Sequence, residues 1–256
     1  MDLNELNSHL KDFKSIPLDV LDKNNLLNRF DTKFVVSPKN LKRIFEILIE
    51  EYSILEINNR RIFRYKNLYF DTDDFLFYFQ HHNGKTDRLK IRFRQYSSNE
   101  SCFFEIKQKH NNYTTKERLP VDSNVFELND GTSKMVENSI GLNPDILSPK
   151  IWVFYDRITL LHKQLPEKIT IDTNINFKTI DELKKFPEIA ILEVKHKRLN
   201  NYSDTIHNIE RNNLIKKVNF SKYCMGIIAS DYPVKYNRFK PKLINIFKVA
   251  NTNYGF

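Results

Sequence analysis

Between residues 88 and 94 basic and apolar side chains alternate without a break: Arg88, Lys90, Arg92 and Arg94 interleave with Leu89, Ile91 and Phe93. Successive side chains of a β-strand point to opposite faces. The segment is therefore a strand with one cationic face and one apolar face. A row of like charges repels itself and gains nothing structurally from the alignment. The same period returns elsewhere. Glu105, Lys107 and Lys109 oppose Phe104 and Ile106, and Arg29, Asp31 and Lys33 oppose Phe30, Thr32 and Phe34. Glu193, Lys195 and Lys197 oppose Leu192, Val194 and His196, Lys168, Thr170 and Asp172 oppose Ile169 and Ile171, and Tyr155 shares a face with Arg157.

For one strand, the simplest reading is the solvated face of an antiparallel sheet. Recurrence over several strands favours another arrangement. The apolar faces need helices to cover them, and a barrel of about eight strands encloses room for one ligand. With the charges turned inward, the strands form a cationic tunnel dotted with the metal-capable carboxylates Asp31, Glu105, Asp172 and Glu193. Desolvated like charges are costly, so such a tunnel predicts a polyanionic ligand. The fold class expected is α+β, an antiparallel eight-stranded β-tunnel flanked by helices. Strands are expected at 29–36, 63–71, 87–97, 101–110, 115–121, 150–161, 166–176 and 189–197. Short helices are expected within 2–28, and longer ones at 38–50, where Leu41, Ile44, Phe45, Leu48 and Ile49 form a stripe, and at 203–218. Tyr69 and Asp71 read as a strand end and helix cap, and His81 and His82 as loop residues. No linker or repeat divides the chain, so one domain over 1–256 is expected, with a core at 25–230 and a basic helical extension at 231–256.

The net charge of the 256 residues is +9, which implies either an anionic partner or general surface basicity. Cys102 and Cys224 lack the spacing of a zinc site or disulfide framework. With five glycines and no phosphate-binding glycine loop, side chains must hold any phosphate. The N-terminus has no apolar signal region, and no run is long and apolar enough to span a bilayer. A cytoplasmic location is expected, with a separate membrane partner left open. Nucleic-acid recognition calls for aromatics among the cations, whereas Phe93 and Phe104 lie on the opposite faces.

The stretches RFDTKF, LYFDT, DRLKIRFRQY, FFEIKQKHNNYTTKER, VFYDR, ITIDTNI, ILEVKHK and FSKY, in this order over about 25–230, resemble the VTC (polyphosphate polymerase) domain of the CYTH-like triphosphate tunnel metalloenzyme superfamily. The resemblance implies ATP-dependent polyphosphate synthesis with a divalent metal, Mn²⁺ or Mg²⁺, ATP and polyphosphate being the substrates. It assigns catalytic phosphate contacts to Arg92, Arg94, Lys107 and Arg157, and metal binding to Glu193. Further phosphate contacts fall to Lys33, Lys116, Tyr155, Ser221 and Lys222, with Lys90, Lys109, Lys168 and Lys195 beside them on the cationic faces. Lys109 stands where some members carry His, and Lys168 where Arg is frequent. Simpler roles exist as well: Arg92 and Arg94 pairing with Glu105, Glu193 neutralising Lys195 or Lys107, and Lys222 reaching out from a helix start.

Positioning and charge neutralisation supply most of phosphoryl-transfer catalysis, so no protein nucleophile is needed. The rival of the same fold is a metal-dependent triphosphatase. Those enzymes resemble one another in an ExExK strand, and here the matching strand reads Arg29-Phe30-Asp31-Thr32-Lys33, with fewer acids. A non-catalytic module that binds polyphosphate or inositol phosphates is the other alternative.

Overall fold

The eight long strands lie where the alternation puts them. In chain order the elements are α1 (Leu3–Leu10), β1 (Ser15–Ile16), α2 (Leu18–Lys23), β2 (Phe30–Val36), α3 (Leu41–Leu48), β3 (Tyr52–Leu55), β4 (Phe63–Asp71), α4 (Leu76–His82), β5 (Arg88–Tyr96) and β6 (Cys102–His110). Then follow β7 (Tyr113–Val121), α5 (Asp130–Ile140), β8 (Ser148–His162), β9 (Glu167–Lys178), β10 (Leu183–Lys185), β11 (Ala190–His196), α6 (Asp204–Arg211), β12 (Ile215–Lys217), α7 (Lys222–Ala229) and α8 (Lys240–Ala250). This computed structural model describes residues 3–24, 29–98, 100–111, 113–122, 126–179, 182–197 and 202–252. Residues 25–28 of the expected N-terminal helical stretch and 253–256 of the expected extension lie outside the described residues.

The strands form one sheet in the order β12-β2-β11-β9-β8-β4-β5-β6-β7, with β1, β3 and β10 at its margins. Every pairing is antiparallel except β1 with β3. Among the described residues the sheet is thus 12-stranded, not eight-stranded. The additional strands, β1, β3, β10 and β12, are two to four residues long, too short to show alternation. Strand β12 also corrects the helix expected at 203–218. Helix α6 stops at Arg211, Asn213 turns the chain at φ 56°, and Ile215–Lys217 pair with β2.

Helices cover the apolar faces as the alternation requires. Phe34, Leu192, Val194, Ile169 and Ile171 pack under α1, α3 and α6 through Leu10, Leu41, Ile44, Phe45 and Ile206. Ile91, Phe93, Phe104 and Ile106 pack with Val136 of α5 and Phe77 of α4. Full burial of such a side chain stabilises by about 1.5–3 kcal/mol. These two clusters hold the charged faces turned inward.

Helix α7 is buried from Tyr223 to Ala229. A helix apolar all round belongs inside a fold, and this one packs on Val35, Tyr155 and Ile191. These residues share strand faces with Lys33, Arg157 and Glu193, so α7 plugs one end of the tunnel. Gly226 permits the close fit, because a Cβ there would meet Phe177 Cδ1 at 2.8 Å. Helix α8 joins the same cluster through Leu243, Ile246 and Phe247. The buried Asp71 accepts from the backbone N–H of Thr72, Phe77 and Tyr78 and from the Tyr223 hydroxyl. It thereby caps α4 and ties it to the plug. His81 and His82, expected in a loop, form the last turn of α4. Among the described residues no helix is long and apolar enough to cross a membrane.

Candidate functional site, a charged tunnel

The two ends of the strand order meet across the cavity. Lys107 on β6 is acted on by the charges of Asp31 and Lys33 on β2 and Glu193 on β11. Lys90 on β5 likewise lies within reach of Lys33. The inward side chains of strands far apart in the sheet therefore share one enclosed space.

Three carboxylates divide most of the cations into groups. Glu105 is 1% exposed and lies between Arg92, Arg94 and Lys116. Arg92 donates to it from Nε and Nη2 at 2.9 and 2.7 Å. Burial opposes ionisation of Glu105, yet these three cations hold its carboxyl well below the usual range. Asp172, equally buried, receives Arg157 in a fork, Nε at 2.6 Å and Nη2 at 2.8 Å, together with Lys222. Its pKa falls to about 2, burial being outweighed first by Arg157 and then by Lys222. Glu193 sits 2.9 Å from Lys195 and 3.9 Å from Lys33. Against its burial, Lys195, Lys33 and Arg157 hold it well below the usual carboxylate range.

Aromatic rings hold the guanidinium groups in place. Arg157 lies 5.0 Å from the Tyr65 ring centroid and 5.2 Å from that of Tyr155. Arg94 donates to Asn67 Oδ1 and the Tyr155 hydroxyl at 2.9 and 3.3 Å, and Arg92 to the Tyr69 hydroxyl at 2.7 Å. Among the described residues these contacts leave Nη1 of both Arg94 and Arg157 available to a ligand, each guanidinium being pre-organised by its partners.

A second set of cations has no such balance. Among the described residues no carboxylate stands in ion-pair contact with Lys90, Lys107 or Lys168. Burial, reinforced by Lys33, lowers Lys90 to about 7. Burial lowers Lys107 to about 8, with Asp31 opposing the shift. Burial together with Arg29 and Lys195 lowers Lys168 to about 8.

Of the residues singled out in the sequence, Lys33, Arg92, Arg94, Lys107, Lys116, Tyr155, Arg157, Glu193, Lys195 and Lys222 meet in the contacts above, with Lys90 beside Lys107. Ser221 is the N-cap of α7, where its hydroxyl accepts from Cys224 N. Lys168 stands apart with Arg29 and Lys195, and Lys109 lies at the periphery beside Arg88. The simpler pairings hold as well: Arg92 and Arg94 do contact Glu105, and Glu193 does contact Lys195. Sequence reasoning treated Glu105 and Asp172 as possible metal ligands, whereas each is a counter-ion that orients arginines. Strand register was the available signal, since Arg92 faces Glu105 and Arg157 faces Asp172 directly across their ladders. The rings of Tyr65 and Tyr69 were not picked out as cation supports.

Among the described residues no three His, Cys, Asp or Glu side chains gather to hold a metal ion. The donors present suit a cation that takes most of its ligands from phosphate and water, as Mg²⁺ does. Glu193 is ionised. Directly opposite it in the β9–β11 register stands Thr170, whose buried Oγ1 has no hydrogen-bond partner among the described residues.

Solved structures with this architecture come from distant organisms. An adenylate cyclase candidate from Bacillus halodurans superposes with a TM-score of 0.51 at 15% identity, covering 76% of this chain and 96% of its own. An adenylyl cyclase candidate from Hippeastrum, described as having a dominant triphosphatase activity, superposes at 0.54 with 11% identity, covering 81% and 98%. At these identities the likeness establishes the triphosphate-tunnel fold alone. No curated protein matches the sequence. The VTC domain family model matches residues 28–230, and the chain belongs to the VTC domain family.

Proposed function

We propose that this chain is an ATP-dependent polyphosphate polymerase. The observation that carries the reading is the state of the tunnel's acids. Glu105, Asp172 and Glu193 are each engaged by two or three cations, an arrangement that aligns donors for a long polyanion. Activating water on two metals would instead call for several carboxylates at the metals, where this reading assigns Glu193 alone.

The triphosphate of ATP lies against Arg92, Arg94, Lys107 and Arg157, with Lys33, Lys90, Lys116, Lys195, Lys222 and the Ser221 hydroxyl offering further donors. The terminal phosphate oxygen of a polyphosphate chain attacks the γ phosphorus in line. A new P–O bond forms, the bond from the γ phosphorus to the β–γ bridging oxygen breaks, and ADP leaves with the electron pair. The acceptor phosphate is already largely ionised near neutral pH, so no general base is required. Arg157 and Arg94, fixed by Asp172, Asn67 and the tyrosines, meet the growing equatorial charge without reorganising. Glu193 would hold Mn²⁺ or Mg²⁺, which, when bound, supplies charge neutralisation to phosphate oxygens.

Purified protein incubated with ATP and Mn²⁺ is expected to lengthen polyphosphate on a gel with matching ADP release. Arg157→Ala should lower the rate about 10²-fold or more. Phosphate release without chain growth would point to the hydrolase reading, and binding without turnover to a non-catalytic module.

A further inference from the structure

Beside the plug, next to Lys90, lie three nitrogen-bearing side chains that the proposed reaction does not use. Arg88 of β5, Lys242 of α8 and His81 of α4 converge there with Lys90. Arg88 and Lys242 act on each other through their charges, and His81 is acted on by Lys90, Arg88, Lys33 and Lys242. Two buried nitrogens, His81 Nε2 and Arg88 Nε, have no hydrogen-bond partner among the described residues. Among the described residues no carboxylate is in ion-pair contact with any of these side chains. Burial and the surrounding cations push His81 down to about 2.

The fold holds the cluster in place rather than leaving it on mobile side chains. Gln80 Oε1 accepts from Leu89 N at 2.9 Å, joining α4 to β5. His82 Nε2 contacts Asn237 Oδ1 at 2.8 Å, Arg238 donates to Asn83 O at 2.8 Å and the Tyr78 hydroxyl to Lys235 O at 3.0 Å, joining α4 to the segment that leads into α8. A buried donor without a partner costs about 1–3 kcal/mol, and the charges that act on His81 (Lys90, Arg88, Lys33 and Lys242) are all positive, which favours an anion as the partner.

We infer that His81, Arg88 and Lys242 form a second phosphate subsite beside the plug, which takes the distal phosphates of a linear polyphosphate whose near end is gripped by the central arginines. Arg88 lies four residues, roughly 13 Å, along β5 from Arg92, with Lys90 between them on the same face. A triphosphate held at Arg92, Arg94 and Arg157 ends short of Arg88, whereas a longer chain follows the strand to it. The inference rests on the polyphosphate reading above and narrows it: the preferred ligand is a long linear chain, selected by length.

The test compares tripolyphosphate with long-chain linear polyphosphate by calorimetric titration of the intact chain. Wild type is expected to bind the long chain more tightly, and Arg88→Gln with Lys242→Gln to weaken that binding about tenfold or more while tripolyphosphate binding stays as in wild type. Unchanged tripolyphosphate affinity also shows that the variant is folded. His81→Gln, a smaller change, should move the long-chain affinity alone and in the same direction. Equal weakening of both ligands, or of neither, overturns the subsite and leaves the polymerase reading standing. Wild type that binds neither ligand overturns both.

Discussion

The centre of the tunnel and the stretch of Lys90 and Lys107 contain the same kind of residue in opposite electrostatic states. Around Glu105, Asp172 and Glu193 each cation has an acid in contact, and the acids ionise far below their usual range. Among the described residues Lys90 and Lys107 have no acid in ion-pair contact, and burial lowers them toward neutrality. The difference separates two tasks. Balanced cations keep their charge and geometry without a ligand, so the empty tunnel is stable and its forks are pre-aligned. Unbalanced lysines recover full charge when an anion arrives, so they couple binding to charge.

The largest expected effect is on the balanced side. Glu105→Gln leaves Arg92, Arg94 and Lys116 repelling one another in a buried site, and should cost about 3 kcal/mol or more of stability. Urea unfolding measures the loss, and added tripolyphosphate should restore much of it. Loss below about 1 kcal/mol would mean that Glu105 is not the counter-ion the geometry makes it. The complementary change, Lys107→Met, removes an unbalanced buried charge. It should leave the ligand-free protein as stable as wild type or up to about 1 kcal/mol more stable, while weakening tripolyphosphate binding about tenfold. Destabilisation there would erase the contrast between the two regions.

The pH dependence sharpens it further. An unfolded lysine titrates near 10.4, so between about pH 7 or 8 and pH 10 the unfolded chain binds more protons than the folded one at Lys90 and Lys107. Stability then rises with pH across that window, by up to about 1.4 kcal/mol per pH unit for each such group. Thermal melts should show the ligand-free midpoint rising from pH 7 toward 9, with the slope flattened by tripolyphosphate. For Asp172 the slope has the same sign but falls in an acid window, and it is the charged form that folding favours. Its contribution is present above the usual aspartate range and is lost only as pH falls toward about 2. The smallest effect belongs to an exposed pair, Arg43 and Glu46 on α3, 3.1 Å apart. Arg43→Ala should change stability by about 0.5 kcal/mol or less and ligand affinity not at all.

How much of this could be read beforehand follows from the range of each signal. A period of two over seven to fifteen residues located the long strands, and the order of eight short motifs pointed to the family. Strands β1, β3, β10 and β12 are held by their partners rather than by their own pattern, and β12 was hidden in what looked like a continuing helix. In the site, alternation placed Arg92, Lys107 and Glu193 on inward faces. It is silent on which acid each cation meets, because that depends on register across strands and on how the sheet curls. The subsite at His81 was invisible for the same reason. Its residues come from a helix end, a strand start and a helix near the end of the described chain, far apart in sequence.

The account rests on the unbalanced lysines awaiting phosphates, and proton uptake on binding tests this most directly. Tripolyphosphate should be titrated into the protein at about pH 8, close to the lowered value of Lys107, in two buffers of different ionisation enthalpy. The account predicts one saturable site with net proton uptake that shrinks in Lys90→Met and Lys107→Met. Saturable binding with no proton uptake, unchanged in both variants, would contradict it.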